Sequence, residues 1–135
     1  MLLCSAMPLA YAETPTVAGL TLKECVALLD DEDRTVRCRA VRTLARFEDE
    51  ASKPLAAALD HTDAAVRYLA AVELGRIGGD GLQKATEKLE QLLGDEQSQA
   101  VQMAAAYALC RSGKLDEPLD FLIARLDAEE RGMAC

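Results

Sequence analysis

The side chains able to do chemistry in this 135-residue sequence are few and thinly placed. His61 is the only histidine, lying between Asp60 and Asp63. A general base or metal ligand needs partners at short range, and no second imidazole supplies one, so His61 reads as a solvated turn residue. The five cysteines lack the paired spacing of a metal site. Cys25 and Cys38 are equally far from a chain reversal centred between residues 31 and 32. In an antiparallel helix pair they share a height at which a disulfide is conceivable, and the competing reading makes Cys25 a small buried hydrophobe. Gly75-Arg76-Ile77-Gly78-Gly79-Asp80-Gly81 has the glycine density of a phosphate loop. It lacks the preceding strand and the Lys-Ser/Thr pair, and reads as a helix stop and turn. The run Asp30-Asp31-Glu32-Asp33 lacks the glycine and distal Glu of a calcium loop, and Glu48-Asp49-Glu50 is likewise a set of solvated turn charges. No catalytic residue, metal or cofactor is expected.

The elements that would position these groups are helices. The chain holds 24 Ala and 21 Leu, 4% aromatic residues and no Trp. Ala and Leu are strong helix formers, whereas strands favour aromatic and β-branched residues, so an all-α fold with no sheet is expected. The net charge of -8 argues against nucleic acid and anionic membranes as partners. Residues 1–12, MLLCSAMPLAYA, carry no charge, and Ala10-Tyr11-Ala12 fits a small-x-small cleavage pattern. The stretch is too short for a membrane span and lacks a basic n-region, so it reads as a truncated signal peptide, followed by a linker over 13–19. A signal implies export, to the periplasm or outside the cell; without one the chain is cytoplasmic.

From residue 20 onward the sequence repeats. Leu29-Asp30-Asp31-Glu32-Asp33-Arg34-Thr35-Val36-Arg37 returns 30 residues later as Leu59-Asp60-His61-Thr62-Asp63-Ala64-Ala65-Val66-Arg67. Ala40, Leu44 and Arg46 match Ala70, Leu74 and Arg76. A third copy is shifted by 35, with Asp95, Val101, Ala105, Leu109 and Arg111 in these slots, and a fourth is expected to begin at Leu126-Asp127. Such a period marks a solenoid of helical hairpins. First helices are expected near 21–30, 52–60, 81–93 and 117–126, and second helices near 34–47, 64–77 and 98–111. Buried stripes at i, i+3, i+4, i+7 are expected from Leu22, Cys25, Val26 and Leu29, from Leu82, Ala85, Leu89 and Leu92, and from Leu119, Leu122, Ile123 and Leu126. Second-helix stripes are Val36, Ala40, Leu44 and Phe47, then Val66, Ala70, Leu74 and Ile77. Asp33, Asp63 and Ser98 stand as N-caps, with Gly78-Gly79 and Gly113 as helix stops.

The string D-x-x-D-x-x-V-R-x-x-A-x-x-x-L-x-R resembles HEAT-like repeats of the short bacterial type, the type also seen in phycobilisome lyases. The resemblance covers about residues 20–135 and implies about three and a half stacked hairpins, with the array stopping inside its fourth copy. It also implies an Asp–Arg ladder between successive turns, carried here by Asp30, Asp33 and Arg37, then Asp60, Asp63 and Arg67. The third copy departs, with Ser98 and Gln102 in the second Asp and Arg slots, and its rung is expected to be weaker. Ala134 takes the Arg slot of the fourth.

Two functions follow from this reading. The first is a noncatalytic scaffold or adaptor, or the repeat appendage of a larger exported protein, holding another protein or an acidic peptide segment on its second helices. Arg46, Arg76 and Arg111 form one column there, Arg39 and Arg42 add charge in copy one, and the corresponding slots become Leu69 and Val72, then Ala104 and Tyr107. The surface thus grades from basic to apolar, with Arg39, Arg42, Arg46, Arg76, Tyr107 and Arg111 as binding candidates. Arginines near a helix end also complement its dipole without binding anything. The alternative, resting on the lyase resemblance alone, is a chromophore lyase or isomerase.

Overall fold

The computed structural model describes residues 14–96 and 98–133, so the expected signal peptide over 1–12 and Ala134 lie outside the described residues. In chain order the elements are β1 (Thr16–Val17), β2 (Leu20–Thr21), α1 (Leu22–Ala27), α2 (Arg34–Leu44), α3 (Ser52–Ala58), α4 (Ala64–Ile77), α5 (Gly79–Asp95), α6 (Gln99–Arg111) and α7 (Asp116–Met133). Short 3₁₀ segments cover Leu28–Asp30 and Ala45–Ala51. Copies one, two and three are the hairpins α1/α2, α3/α4 and α5/α6. Second helices stack α2 on α4 and α4 on α6, first helices stack α3 on α5, and α7 packs against α6. The fold is an all-α solenoid.

One expectation fails at its edge. Where a linker over 13–19 and no sheet are expected, β1 and a turn fall in that stretch and pair with β2 just beyond it, Thr16 with Thr21 and Val17 with Leu20 in an antiparallel hairpin. Its turn residues Ala18 and Gly19 both have positive φ, 53° and 79°, the pattern a tight two-residue hairpin turn requires. Thr21 then caps α1 by accepting from the Glu24 amide at 3.3 Å, while the Glu24 carboxylate accepts from the Thr21 amide at 2.8 Å.

Helix starts follow the sequence closely. Asp33 accepts from the Thr35 amide at 2.7 Å and Asp63 from that of Ala65 at 2.9 Å. Ser98 precedes α6 but makes no side-chain cap, contrary to expectation. Gly78, at φ 73°, closes α4, and Gly113, at φ 94°, closes α6, where Lys114 N–H reaches the Leu109 carbonyl at 3.1 Å. The extra residues of copy three do not form a loop around Gly78–Gly81. α5 opens directly at Gly79 and runs 17 residues, against 7 for α3. Between α2 and α3 the chain turns at Glu48, whose φ of 52° and ψ of -120° put a non-glycine residue in a costly region, worth ~1–3 kcal/mol.

The core lies between the two rows of helices. Leu44, Leu55, Leu59, Leu74, Leu89 and Leu109 are fully buried. Truncating any one to Ala is expected to cost about 2–5 kcal/mol. The stripe Leu82, Ala85, Leu89 and Leu92 is buried throughout, whereas Leu22, Val26, Val36, Phe47 and Ile77 are only half-buried. Cys25 is fully buried and, like Cys38, is a free thiol.

The fourth copy is where the sequence misleads. α7 runs straight through Leu126-Asp127 to Met133, with no turn. Copies one and two turn where Leu-Asp is followed three residues on by a capping Asp; here that slot holds Glu130, a helix former and a poor cap. The stripe expected to be buried is largely exposed: Leu119, Ile123 and Leu126 lie open with Leu115, and Leu122 is half-buried. Among the described residues no further helix covers it.

Candidate functional site

Two sets of arginines tie the copies together, one at the turn side and one at the far end of the second helices. On the turn side Arg37 donates Nη1 to the carbonyls of Asp31 at 2.7 Å and Glu32 at 2.9 Å, within its own copy. Its Nε and Nη2 donate to one oxygen of Asp63, at 3.1 and 2.6 Å, in the next. Arg67 repeats the pattern on the His61 and Thr62 carbonyls, at 2.8 and 3.0 Å. Its outer partner is Glu96, with Nε to Oε2 at 2.7 Å and Nη2 to Oε1 at 2.9 Å. These side chains are mostly removed from water, which strengthens charge-assisted hydrogen bonds. The Arg37 guanidinium holds the Asp63 carboxyl below its ordinary value; partial burial opposes this, and the Ala65 amide adds to it.

The expected ladder residues therefore divide. Asp63 receives an arginine, whereas Asp33 only caps its helix. Asp30 faces Nε2 of His61 at 3.4 Å, and Asp60 pairs with Lys88 of copy three. His61 is not a solvated turn residue: its side chain is 14% exposed, and Nδ1 accepts the Asp63 amide at 2.9 Å. That leaves Nε2 to carry the proton facing Asp30. Sequence reasoning missed Glu96, yet a signal existed. Asp31, His61 and Glu96 each stand two residues before a helix-capping position and accept its amide, at 2.8, 2.9 and 2.9 Å.

At the other end, Arg76 donates to the Ala45 carbonyl at 3.1 Å and Arg111 to the Gly75 carbonyl at 3.3 Å. Each reaches back to the carbonyl-rich end of the preceding second helix, where a cation complements the dipole. Arg76 also pairs with Glu73 at 2.7 Å. Among the described residues no copy precedes the first, so Arg46 has no such carbonyl to reach. Arg39, Arg42 and Arg46 are exposed and make no hydrogen bond or ion pair among the described residues.

Between α4 and α6 the same face forms a groove of about 450 Å³, lined by Tyr68, Val72, Ala100, Met103, Ala104 and Tyr107. Tyr107 and Val72 sit as expected, but Leu69 is buried and its neighbour Tyr68, 40% exposed, takes the surface position. Met103 occupies the Tyr68 slot one copy on, a match visible once the 35-residue shift is applied. The Tyr107 ring lies over Gly75, where an added Cβ would meet Cε1 at 2.7 Å.

Residues 22–110 match the family model of HEAT repeats. The chain belongs to the HEAT repeat family. The matched span covers all three stacked hairpins, and HEAT repeats generally act as protein-interaction scaffolds. None of the curated proteins compared with this HEAT repeat chain matches it. Among the described residues no helix is long and apolar enough to cross a membrane, and no three His, Cys, Asp or Glu side chains gather as a metal site would require.

Proposed function

We propose that this HEAT repeat chain is a noncatalytic scaffold that holds an acidic segment of another protein on its second-helix face, as an adaptor or as the repeat appendage of a larger exported protein. One observation carries the reading: the charge is segregated. α2, α4 and α6 carry seven arginines and one acidic residue, Glu73, in a chain of net charge -8. Arg37, Arg67, Arg76 and Arg111 hydrogen-bond across copies and Arg34 approaches Asp63 at 3.8 Å, which leaves Arg39 and Arg42 of α2, with Arg46 just past its end, as guanidinium forks suited to carboxylates.

The test is binding of a fluorescein-labelled peptide bearing a Glu-Glu-Asp-Glu run, read by anisotropy at low and physiological salt. Binding that weakens with salt and is lost in R39E/R42E/R46E, with the melting temperature preserved, supports the reading. Equal binding by that variant overturns it. The variant keeps Arg76 because of its place in the stack. Tighter retention on heparin than on the peptide would favour a polyanion partner, and a pigmented protein after coexpression with bilin would favour the lyase reading.

A further inference from the structure

We infer that the groove between α4 and α6 seats a bulky apolar side chain of the same partner segment, about four residues from its acidic run. This rests on the scaffold reading above and adds the partner's second recognition element and its spacing.

The groove is preformed. The Tyr107 ring packs against Gly75, and a ring seated against backbone on one side has less freedom to lose on binding. Ala100 and Ala104 keep the groove open at the α6 side, where larger residues would fill it. Its lining includes no charged residue, whereas the grooves on the turn side are lined with Asp, Glu, Arg and Lys. Apolar lining with the tyrosine hydroxyls of Tyr68 and Tyr107 as its polar groups suits a leucine- or phenylalanine-sized anchor.

Charge complementarity fixes which partner occupies it. The slots that form the groove in copies two and three are Cys38 and Arg42 in copy one, so the face continues without a break from the groove to the free arginines. Neighbouring helix axes lie ~8–10 Å apart, which puts the groove roughly 14 Å from α2. An extended chain covers that in about four residues at ~3.3 Å each. A segment with carboxylates over Arg39, Arg42 and Arg46 therefore places its anchor between Val72 and Met103.

The experiment uses the full chain and synthetic peptides with an acidic run, a Gly-Ser spacer of zero, four or eight residues, and a terminal Phe or Ser, built in both orders. The four-residue spacer with Phe is expected to bind about tenfold tighter than its Ser counterpart, the scale of burying one large apolar side chain. That advantage is expected to vanish in V72S/M103S, which leaves the Ser peptide's affinity unchanged. Equal binding of Phe and Ser peptides, or an advantage that survives in V72S/M103S, overturns the groove while the scaffold reading stands. No binding of any peptide at millimolar concentration overturns both. An oligo-dT that binds more tightly than every peptide also overturns both.

Discussion

Arg67 of the second copy and Glu96 of the third meet fork to fork, at 2.7 and 2.9 Å, with the Glu96 side chain only 7% exposed. The equivalent pair one copy earlier uses a single carboxylate oxygen, Oδ2 of Asp63. The rung at the third copy, expected to be weaker because Ser98 stands in the Asp slot, is thus the one with two parallel hydrogen bonds. Glu is one methylene longer than Asp and reaches Arg67 from two residues earlier in the chain.

Breaking that pair from one side strands a largely buried charge. Glu96→Gln is expected to cost about 1–3 kcal/mol, since the guanidinium keeps an acceptor but loses its counter-charge. Differential scanning calorimetry is expected to show a drop of several degrees, with a smaller drop for Glu32→Gln, whose side chain is exposed.

The Asp63–Arg37 rung carries a pH signature. The folded-state pKa of Asp63 lies below its ordinary value, chiefly through the Arg37 hydrogen bonds. A depressed carboxyl gives stability that is present above the unfolded pKa and lost as pH falls through the folded one. Urea midpoints measured from pH 5 down to pH 2 are expected to fall less steeply in Asp63→Asn than in the parent. Glu24, lowered by the Thr21 amide and hydroxyl, leaves the variant some acid sensitivity. Parallel curves would mean that Asp63 does not set the acid sensitivity of the fold.

Gly75 is required by contact. A methyl there meets the Tyr107 ring at 2.7 Å and the Ala108 Cα at 3.1 Å, and the second is backbone that yields only if α6 shifts. Gly75→Ala is expected to cost about 1–3 kcal/mol of overpacking, offset in part by ~1 kcal/mol of helix propensity. The same substitution is expected to displace the Tyr107 ring and weaken binding of the Phe-anchored peptide. A variant as stable as the parent would contradict the close approach of α4 to α6.

The exposed row of Leu115, just before α7, with Leu119, Ile123 and Leu126 on it, is expected to bind a hydrophobic dye. Leu119→Gln, Ile123→Gln and Leu126→Gln together are expected to abolish most anilinonaphthalene sulfonate fluorescence and leave the melting temperature nearly unchanged. Hydrogen exchange is expected to be fastest after about residue 115, where a single helix interface supplies the protection. A large loss of stability in the triple variant would mean that these side chains are buried.

The sequence by itself determined the repeat and its helices. The 30-residue period, the Asp caps and the glycine stops act within a few residues of chain, so α4 falls at 64–77 as the pattern predicts. Leu82, Ala85, Leu89 and Leu92 share the face that the helix period alone names, and packing of α5 against α3, α4 and α6 buries it. Partnerships across copies were decided by the tertiary structure alone. Which carboxylate meets Arg67, why Asp30 faces His61, and how Arg76 and Arg111 reach carbonyls of the preceding helix all depend on how the hairpins stack. Leu69 and Tyr68 exchange roles for the same reason: the rotation of α4 against its neighbours chooses which adjacent residue turns inward. α7 shows the limit most clearly. Its apolar stripe reads like the others, but periodicity names only the face that wants burial, and a neighbour must be present to bury it.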